Sequence, residues 1–175
     1  MNMNKKIIMF FLFSSIIGIS FAIETVPYLN FNNKIDLYLG LRIESLLKTL
    51  GEPDKKEEIC FSKDKPDFTE IWLYYDGLTV SYYAGEKTLR RIILTNSSSY
   101  ILYNNKKISI IESREKDIHD TFGKSTHFFR DNYSVHEYVF KKINEHYFIF
   151  DHIQFFFNQN NVLEKIIILD DTNFL

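Results

Sequence analysis

Residues 28–51, YLNFNNKIDLYLGLRIESLLKTLG, and residues 100–123, YILYNNKKISIIESREKDIHDTFG, are two versions of one stretch. Set against each other without a gap, about 72 residues apart, they share Tyr28/Tyr100, Asn32/Asn104, Asn33/Asn105, Lys34/Lys106, Arg42/Arg114, Thr49/Thr121 and Gly51/Gly123. Apolar character persists at Leu29/Ile101, Phe31/Tyr103, Leu39/Ile111, Leu46/Ile118 and Leu50/Phe122. A self-match this dense marks a tandem duplication, so the fold is to be read as one unit built twice.

Within the unit, residues 28–31 are a short extended run closed by Asn32-Asn33, a turn-favouring pair. Ile35, Leu37 and Leu39 then alternate with Asp36 and Tyr38, the period of a strand. Ile43, Leu46, Leu47 and Leu50 fall on one face of a helix. Gly51 suits the position past its end, and Pro53 bars continuation. Residues 54–67 are charged and read as a surface loop, with at most a short strand around Cys60. Three strands follow at residues 70–75, 78–83 and 89–95, the first two joined by Asp76-Gly77, a hairpin signal.

The second copy keeps this order. Its helix, near residues 114–122, presents Glu115, Ile118, His119 and Phe122 on the aligned face, with Ser113 as the expected N-cap. After a loop at residues 124–134, Glu137-Tyr138-Val139-Phe140 aligns with Glu70-Ile71-Trp72-Leu73, and residues 163–168 align with 89–94. The strand between them, residues 147–158, is longer than its counterpart. Alignment sets its Gln154 and Phe156 against Val80 and Tyr82, whereas alternation turns Ile153, Phe155 and Phe157 inward. A bulge, or a strand covered on both faces, would reconcile the two. The expected fold class is α+β: two tandem repeats, residues 23–98 and 99–175, each a short helix packed on one face of an antiparallel β-meander, together able to form one compact domain.

Residues 1–22 have the parts of a secretory signal peptide. Lys5 and Lys6 precede an apolar run at residues 7–19, and Ser20-Phe21-Ala22 places small residues before a cut at Ile23. The run is shorter than the roughly twenty residues a span needs, so no stable membrane span is expected after cleavage. No cysteine follows it to carry a lipoprotein anchor. The protein is therefore expected to be exported, periplasmic or secreted. Cys60 is the only cysteine, which excludes an intramolecular disulfide. Of 21 basic residues, loss of Lys5 and Lys6 leaves 19 against 23 acidic ones, a formal charge of −4. That balance argues against a nucleic-acid partner.

Little in the sequence carries chemistry. His119, His127, His136, His146 and His152 form no HExxH motif, and no second cysteine completes a zinc set. His146 and His152 on one straight strand would stand about 20 Å apart. His119 reads as a semi-buried helix residue. No GxSxG or phosphate-cradling glycine loop is present. The chain is expected to be no enzyme, with no catalytic residue, cofactor or metal. The surface of interest is aromatic. If Ile71, Leu73 and Tyr75 face the core, Trp72 and Tyr74 face away, joined by Tyr83 and Arg91 from the next strands. Trp, Tyr and Arg combine large area with a polar handle, so Trp72, Tyr74, Tyr83 and Arg91 form the candidate partner-binding site.

Gly40 at the helix entrance, the amphipathic helix, Leu50-Gly51-Glu52-Pro53 and the strand meander together resemble the BamE (SmpA/OmlA) family. The doubling of that unit in one exported chain is similar to the β-lactamase inhibitor protein architecture. The resemblance implies helices on one face of an antiparallel sheet, with the other face offered to a protein partner. The second copy departs from the pattern with Glu112 at the entrance and Ser125 at the proline. The expected function is an exported, non-enzymatic protein-binding module, either an inhibitor or an envelope-assembly accessory. The alternatives are a small apolar-ligand carrier built on the 147–157 strand, and a hydrolase.

Overall fold

A computed structural model describes residues 28–60, 69–139 and 152–170. The leader at residues 1–22, His146 and the start of the 147–158 strand lie outside the described residues. The elements run β1 (Tyr28–Phe31), β2 (Ile35–Leu37), α1 (Ile43–Leu50), β3 (Lys55–Cys60), β4 (Thr69–Tyr75), β5 (Leu78–Tyr83) and β6 (Leu89–Leu94). The same order then returns as β7 (Tyr100–Tyr103), β8 (Lys106–Ser109), α2 (Glu115–Phe122), β9 (Thr126–Arg130), β10 (Tyr133–Val139), β11 (His152–Phe157) and β12 (Leu163–Leu169).

These strands form two antiparallel sheets. One has four strands in the order β2-β1-β7-β8, and the other has eight in the order β3-β4-β5-β6-β12-β11-β10-β9. Each sheet is symmetric about a seam between the repeats, β1–β7 in the small sheet and β6–β12 in the large one.

The α+β expectation is overturned: strand takes 54% of the described residues and helix 13%, so the protein is mostly β. Two features account for this. The lead-in strands are not preludes to a helix. Asn32-Asn33 (φ 53° and 55°) and Asn104-Asn105 (φ 49° and 60°) turn them into hairpins at positive φ: the second has a two-residue loop between Tyr103 and Lys106, and the first adds Lys34 to its loop so that Phe31 faces Ile35. Those hairpins pair across the seam, Leu29 opposite Ile101. The charged segments expected as loops also supply edge strands, with β3 on β4 and β9 on β10. Against these, α1 and α2 have only eight residues each.

One core serves both repeats. Leu73, Val80, Ile92, Ile168, Ile153 and Tyr138 lie in register across the inner face of the large sheet, crossing the seam between Ile92 and Ile168. All are buried, and Leu29 and Ile101 of the small sheet and Ile43, Leu46 and Ile118 of the helices join the same cluster. Each such aliphatic side chain contributes about 1.5–3 kcal/mol of burial.

The register also decides how the repeats correspond. The large sheet is bulged at Arg90 of β6, opposite the Ser81–Tyr82 step of β5, and at Glu164 of β12, opposite the Phe156–Phe157 step of β11. Equating the bulges makes Phe155 the counterpart of Val80, and Phe157 that of Tyr82. The inward set is thus Ile153, Phe155 and Phe157, as alternation requires, one residue away from the sequence alignment. Gln154 and Phe156 are buried on the opposite face, so this strand is covered on both sides. On the neighbouring strand the same correspondence sets Val135 against Trp72, His136 against Leu73 and Tyr138 against Tyr75. Glu137 is therefore not the counterpart of Glu70. Two hydrogen bonds agree: the Tyr75 hydroxyl donates to the Gly51 carbonyl at 3.2 Å, and that of Tyr138 to the Gly123 carbonyl at 3.1 Å.

The helix entrance shows a similar shift. The Gly40 N–H (φ 87°) donates to the Leu89 carbonyl at 2.8 Å, and the Ile111 N–H (φ 73°) donates to that of Leu163 at 2.7 Å. Ile111, not Glu112, takes the place of Gly40, although a β-branched residue at positive φ is strained. Ser113 does not cap α2. Its hydroxyl accepts from the Ser109 N–H at 3.0 Å, while Asp117 accepts from the Arg114 N–H at 2.7 Å.

Candidate functional site

Alternation on β4, β5 and β6 sends Glu70, Trp72, Tyr74, Ser81, Tyr83 and Arg91 to the face of the large sheet that points away from the core. Trp72, Tyr74, Tyr83 and Arg91 are each half-buried there. Trp72 stands opposite Ser81, which stands opposite Arg91. The Arg91 guanidinium lies 5.0 Å from the centre of the Trp72 ring, within range of a cation–π attraction. It is also 3.5 Å from Glu70, whose buried carboxylate accepts the Ser81 hydroxyl at 2.6 Å. The indole N–H of Trp72 is buried and has no acceptor among the described residues.

Tyr74 extends this patch toward the sheet edge. Its hydroxyl donates to Glu57 at 2.6 Å, and Lys55 lies 5.3 Å from its ring centre. That hydrogen bond raises the Tyr74 phenol above its ordinary pKa. The hydrogen bonds from Lys55 and Tyr74 in turn hold the Glu57 carboxyl below its usual range. Tyr83 sits beside the patch, not in it. It is opposite Glu70, but its ring carries Arg90 at 5.0 Å, and Arg90 is fixed to Asp170 at 2.8 Å. The structure therefore joins Trp72, Tyr74 and Arg91 and sets Tyr83 in an adjoining cluster.

In the second repeat the position of Trp72 is closed, while Ser81 and its counterpart are both buried. The row Trp72–Ser81–Arg91 becomes Val135–Phe156–Lys165, with Val135 at 0% and Phe156 at 2% exposure. The Lys165 ammonium lies 4.2 Å from the Phe156 ring centre and 4.9 Å from that of Tyr133. Burial, helped by nearby Arg130, lowers the Lys165 pKa.

A second constellation escaped the sequence reading. Glu115 and His119, one turn apart on α2, meet His136 from β10. Glu115 Oε1 lies 3.1 Å from His136 Nε2 and 3.4 Å from His119 Nε2. His136 Nδ1 is 2.9 Å from Ser125 Oγ, and its ring stacks on His127 with centroids 4.7 Å apart. Burial lowers the His136 pKa, opposed by Glu115 and reinforced by His119 and His127. His119 is half-buried, as expected. The available signal was the i, i+4 spacing of Glu115 and His119 at positions that are Ile43 and Leu47 in the first copy. Their partner on β10 lies beyond a loop of different length in the two copies, which hid the third member.

No protein-family model, curated protein or solved structure matches the chain. Among the described residues no helix is long and apolar enough to cross a membrane.

Proposed function

We propose that this is an exported, non-enzymatic protein-binding module, an inhibitor or envelope-assembly accessory, whose protein partner docks on the outer face of β4–β6 around Trp72. The observation that carries this reading is the contrast between the two halves of one sheet face. Where the second repeat buries Val135, the first leaves a half-exposed indole beside Arg91 and Tyr74. Trp, Tyr and Arg gathered in this way are the chemistry of a binding hot spot. The leader-like residues 1–22 are what an exported protein would carry. The apolar-carrier alternative gains nothing from Phe155, whose ring packs 5.3 Å from Phe122 and 5.9 Å from Tyr138.

The test is capture of the partner by cross-linking in extracts of the native cell envelope, with the wild type and with Trp72→Ala/Tyr74→Ala. The double variant is expected to keep its far-ultraviolet circular dichroism and lose the captured protein. Unfolding of the double variant would make this face core, and undiminished capture would remove it as the docking surface.

A further inference from the structure

Three positions change character together between the repeats. Ile43, Leu47 and Leu73 belong to the apolar core of the first repeat. Their counterparts in the second are Glu115, His119 and His136. The helix correspondence is fixed by the Gly51 N–H donating to Leu47 O at 2.8 Å and the Gly123 N–H to His119 O at 2.9 Å. The strand correspondence follows from the matched bulges. Replacing an aliphatic trio by a carboxylate and two imidazoles loses apolar burial, so the exchange needs something for the polar atoms to hold.

Their ligand atoms converge. One oxygen of Glu115 and one nitrogen of each histidine all lie within 4.8 Å of one another. The two contacts of Glu115 Oε1, at 3.1 and 3.4 Å, bracket the edge of about 3.3 Å that a tetrahedron with zinc-type bonds near 2.0–2.1 Å would have. The tautomers point the same way. His119 Nδ1 is 3.1 Å from the Gly123 carbonyl and 3.4 Å from the Tyr138 hydroxyl; the carbonyl can only accept, which favours the tautomer of the neutral ring with its proton on Nδ1. The Nε2 lone pair of His119 then faces the Glu115 oxygen directly. In that tautomer two acceptors face each other, an arrangement that a cation between them would satisfy. His136 is held from its far side by Ser125 at Nδ1, with its side chain only 3% exposed. A carbonyl or hydroxyl on the outer nitrogen of each imidazole is the arrangement that orients metal-ligating histidines. An open depression of about 570 Å³ reaches Glu115 from solvent past His127 and Ser134.

We propose that Glu115 Oε1, His119 Nε2 and His136 Nε2 bind one divalent transition-metal ion of the zinc type, with the remaining coordination position open toward that depression. Two imidazole nitrogens and one carboxylate oxygen suit zinc and its borderline neighbours better than calcium or magnesium, which take oxygen ligands. Binding displaces any proton between His136 and Glu115, because the ligands coordinate as neutral imidazoles and a carboxylate. The site faces the core side of the sheet, so it is independent of the docking surface around Trp72.

The test uses untagged, chelator-treated protein titrated with Co²⁺ by visible absorption and with Zn²⁺ by calorimetry. One equivalent of Co²⁺ should give the ligand-field bands of a four- or five-coordinate site, and Zn²⁺ should bind at the same stoichiometry. His119→Ala and Glu115→Gln should each weaken binding at least about tenfold, since even outer-shell losses cost that much. His152→Ala, beside Glu137 on β11, should bind as the wild type does. His119 and Glu115 are partly exposed, so these variants test the site without emptying a buried position as His136→Ala would. A wild-type protein that binds neither ion, or a His119→Ala variant that binds as tightly as wild type, overturns the proposal. The three side chains are then a hydrogen-bonded cluster with no metal.

Discussion

Ile168→Ala tests whether the two repeats stand or fall together. Ile168 is fully buried on β12, flanked in register by Ile92 across the seam and by Ile153 on the other side. Truncation removes the equivalent of three methylene groups, about 2.4 kcal/mol at 0.8 kcal/mol each. The cavity left between two neighbouring isoleucines adds to this, so a total of about 3–4 kcal/mol is expected, within the usual range for such truncations. For a chain of this size that corresponds to a drop of roughly 6–16 °C in Tm. Trp72 is the only tryptophan and lies on β4 of the first repeat, so its fluorescence reports that half alone. Because the large sheet and the core run unbroken across the seam, a lesion in the second repeat should shift the Trp72 transition as far as it shifts circular dichroism. Both probes should give one midpoint in urea with an unchanged slope. A Trp72 midpoint that stays at the wild-type value while circular dichroism loses part of its amplitude early would refute the reasoning. The repeats would then be separately folding units joined by weak pairing.

Relief of backbone strain is a second expectation. Ile111→Gly should raise stability by about 0.5–1 kcal/mol in urea denaturation, the 1–2 kcal/mol of left-handed strain less the entropy cost of a glycine. Gly40→Val should lower stability by about 1–2 kcal/mol for backbone reasons alone, because a Cβ at Gly40 meets no atom within 4 Å. The third concerns pH. Burial pushes the Tyr75 hydroxyl from 10.0 up to about 12. Below the unfolded value of about 10 its contribution to stability is complete. Above that the unfolded chain releases the proton first, so stability falls as pH climbs toward about 12. Urea midpoints between pH 9 and 12 should decline less steeply in Tyr75→Phe, and an equal decline would show that Tyr75 is not the group responsible.

The elements were legible in the sequence to the extent that their signals were local. Period-2 alternation and the Asn-Asn and Asp-Gly turns located β1, β2 and β4–β8. The face of Ile43, Leu46, Leu47 and Leu50 located α1. What local signals could not supply was pairing between distant segments, and the class depended on it. Leu29 opposite Ile101 makes a second sheet, yet nothing in either segment names its partner. β9 was hidden, and β3 was legible only as a short strand around Cys60, for another reason. They are edge strands with largely exposed side chains, so alternation leaves little hydrophobic trace. The slip on β11 came from two apolar faces on one strand. With Phe155, Phe156 and Phe157 all buried, composition cannot tell inside from outside, and only the bulge next to Phe157 fixes the register.

The candidate sites follow the same division. The patch around Trp72 was legible because it sits on consecutive hairpins, where alternation and short turns determine which side chains share a face. The Glu115–His119–His136 set was not, because its third member depends on how β10 aligns with β4. Loop lengths conceal that alignment: the repeats keep the hydrogen bond from Tyr75 to Gly51 as that from Tyr138 to Gly123, but connect it differently. Once the repeats are matched by bulge and hydrogen bond, their divergence has a pattern. On the outer face the first repeat leaves Trp72 half-exposed where the second buries Val135, and carries the small buried Ser81 where the second has Phe156. On the inner face the first is aliphatic at Ile43, Leu47 and Leu73, where the second carries a carboxylate and two imidazoles. A duplicated scaffold that only needed to fold would keep the better-packed version of each face in both copies. Here each copy gives up apolar burial on a different face, which is what two separate sites on one shared core would require.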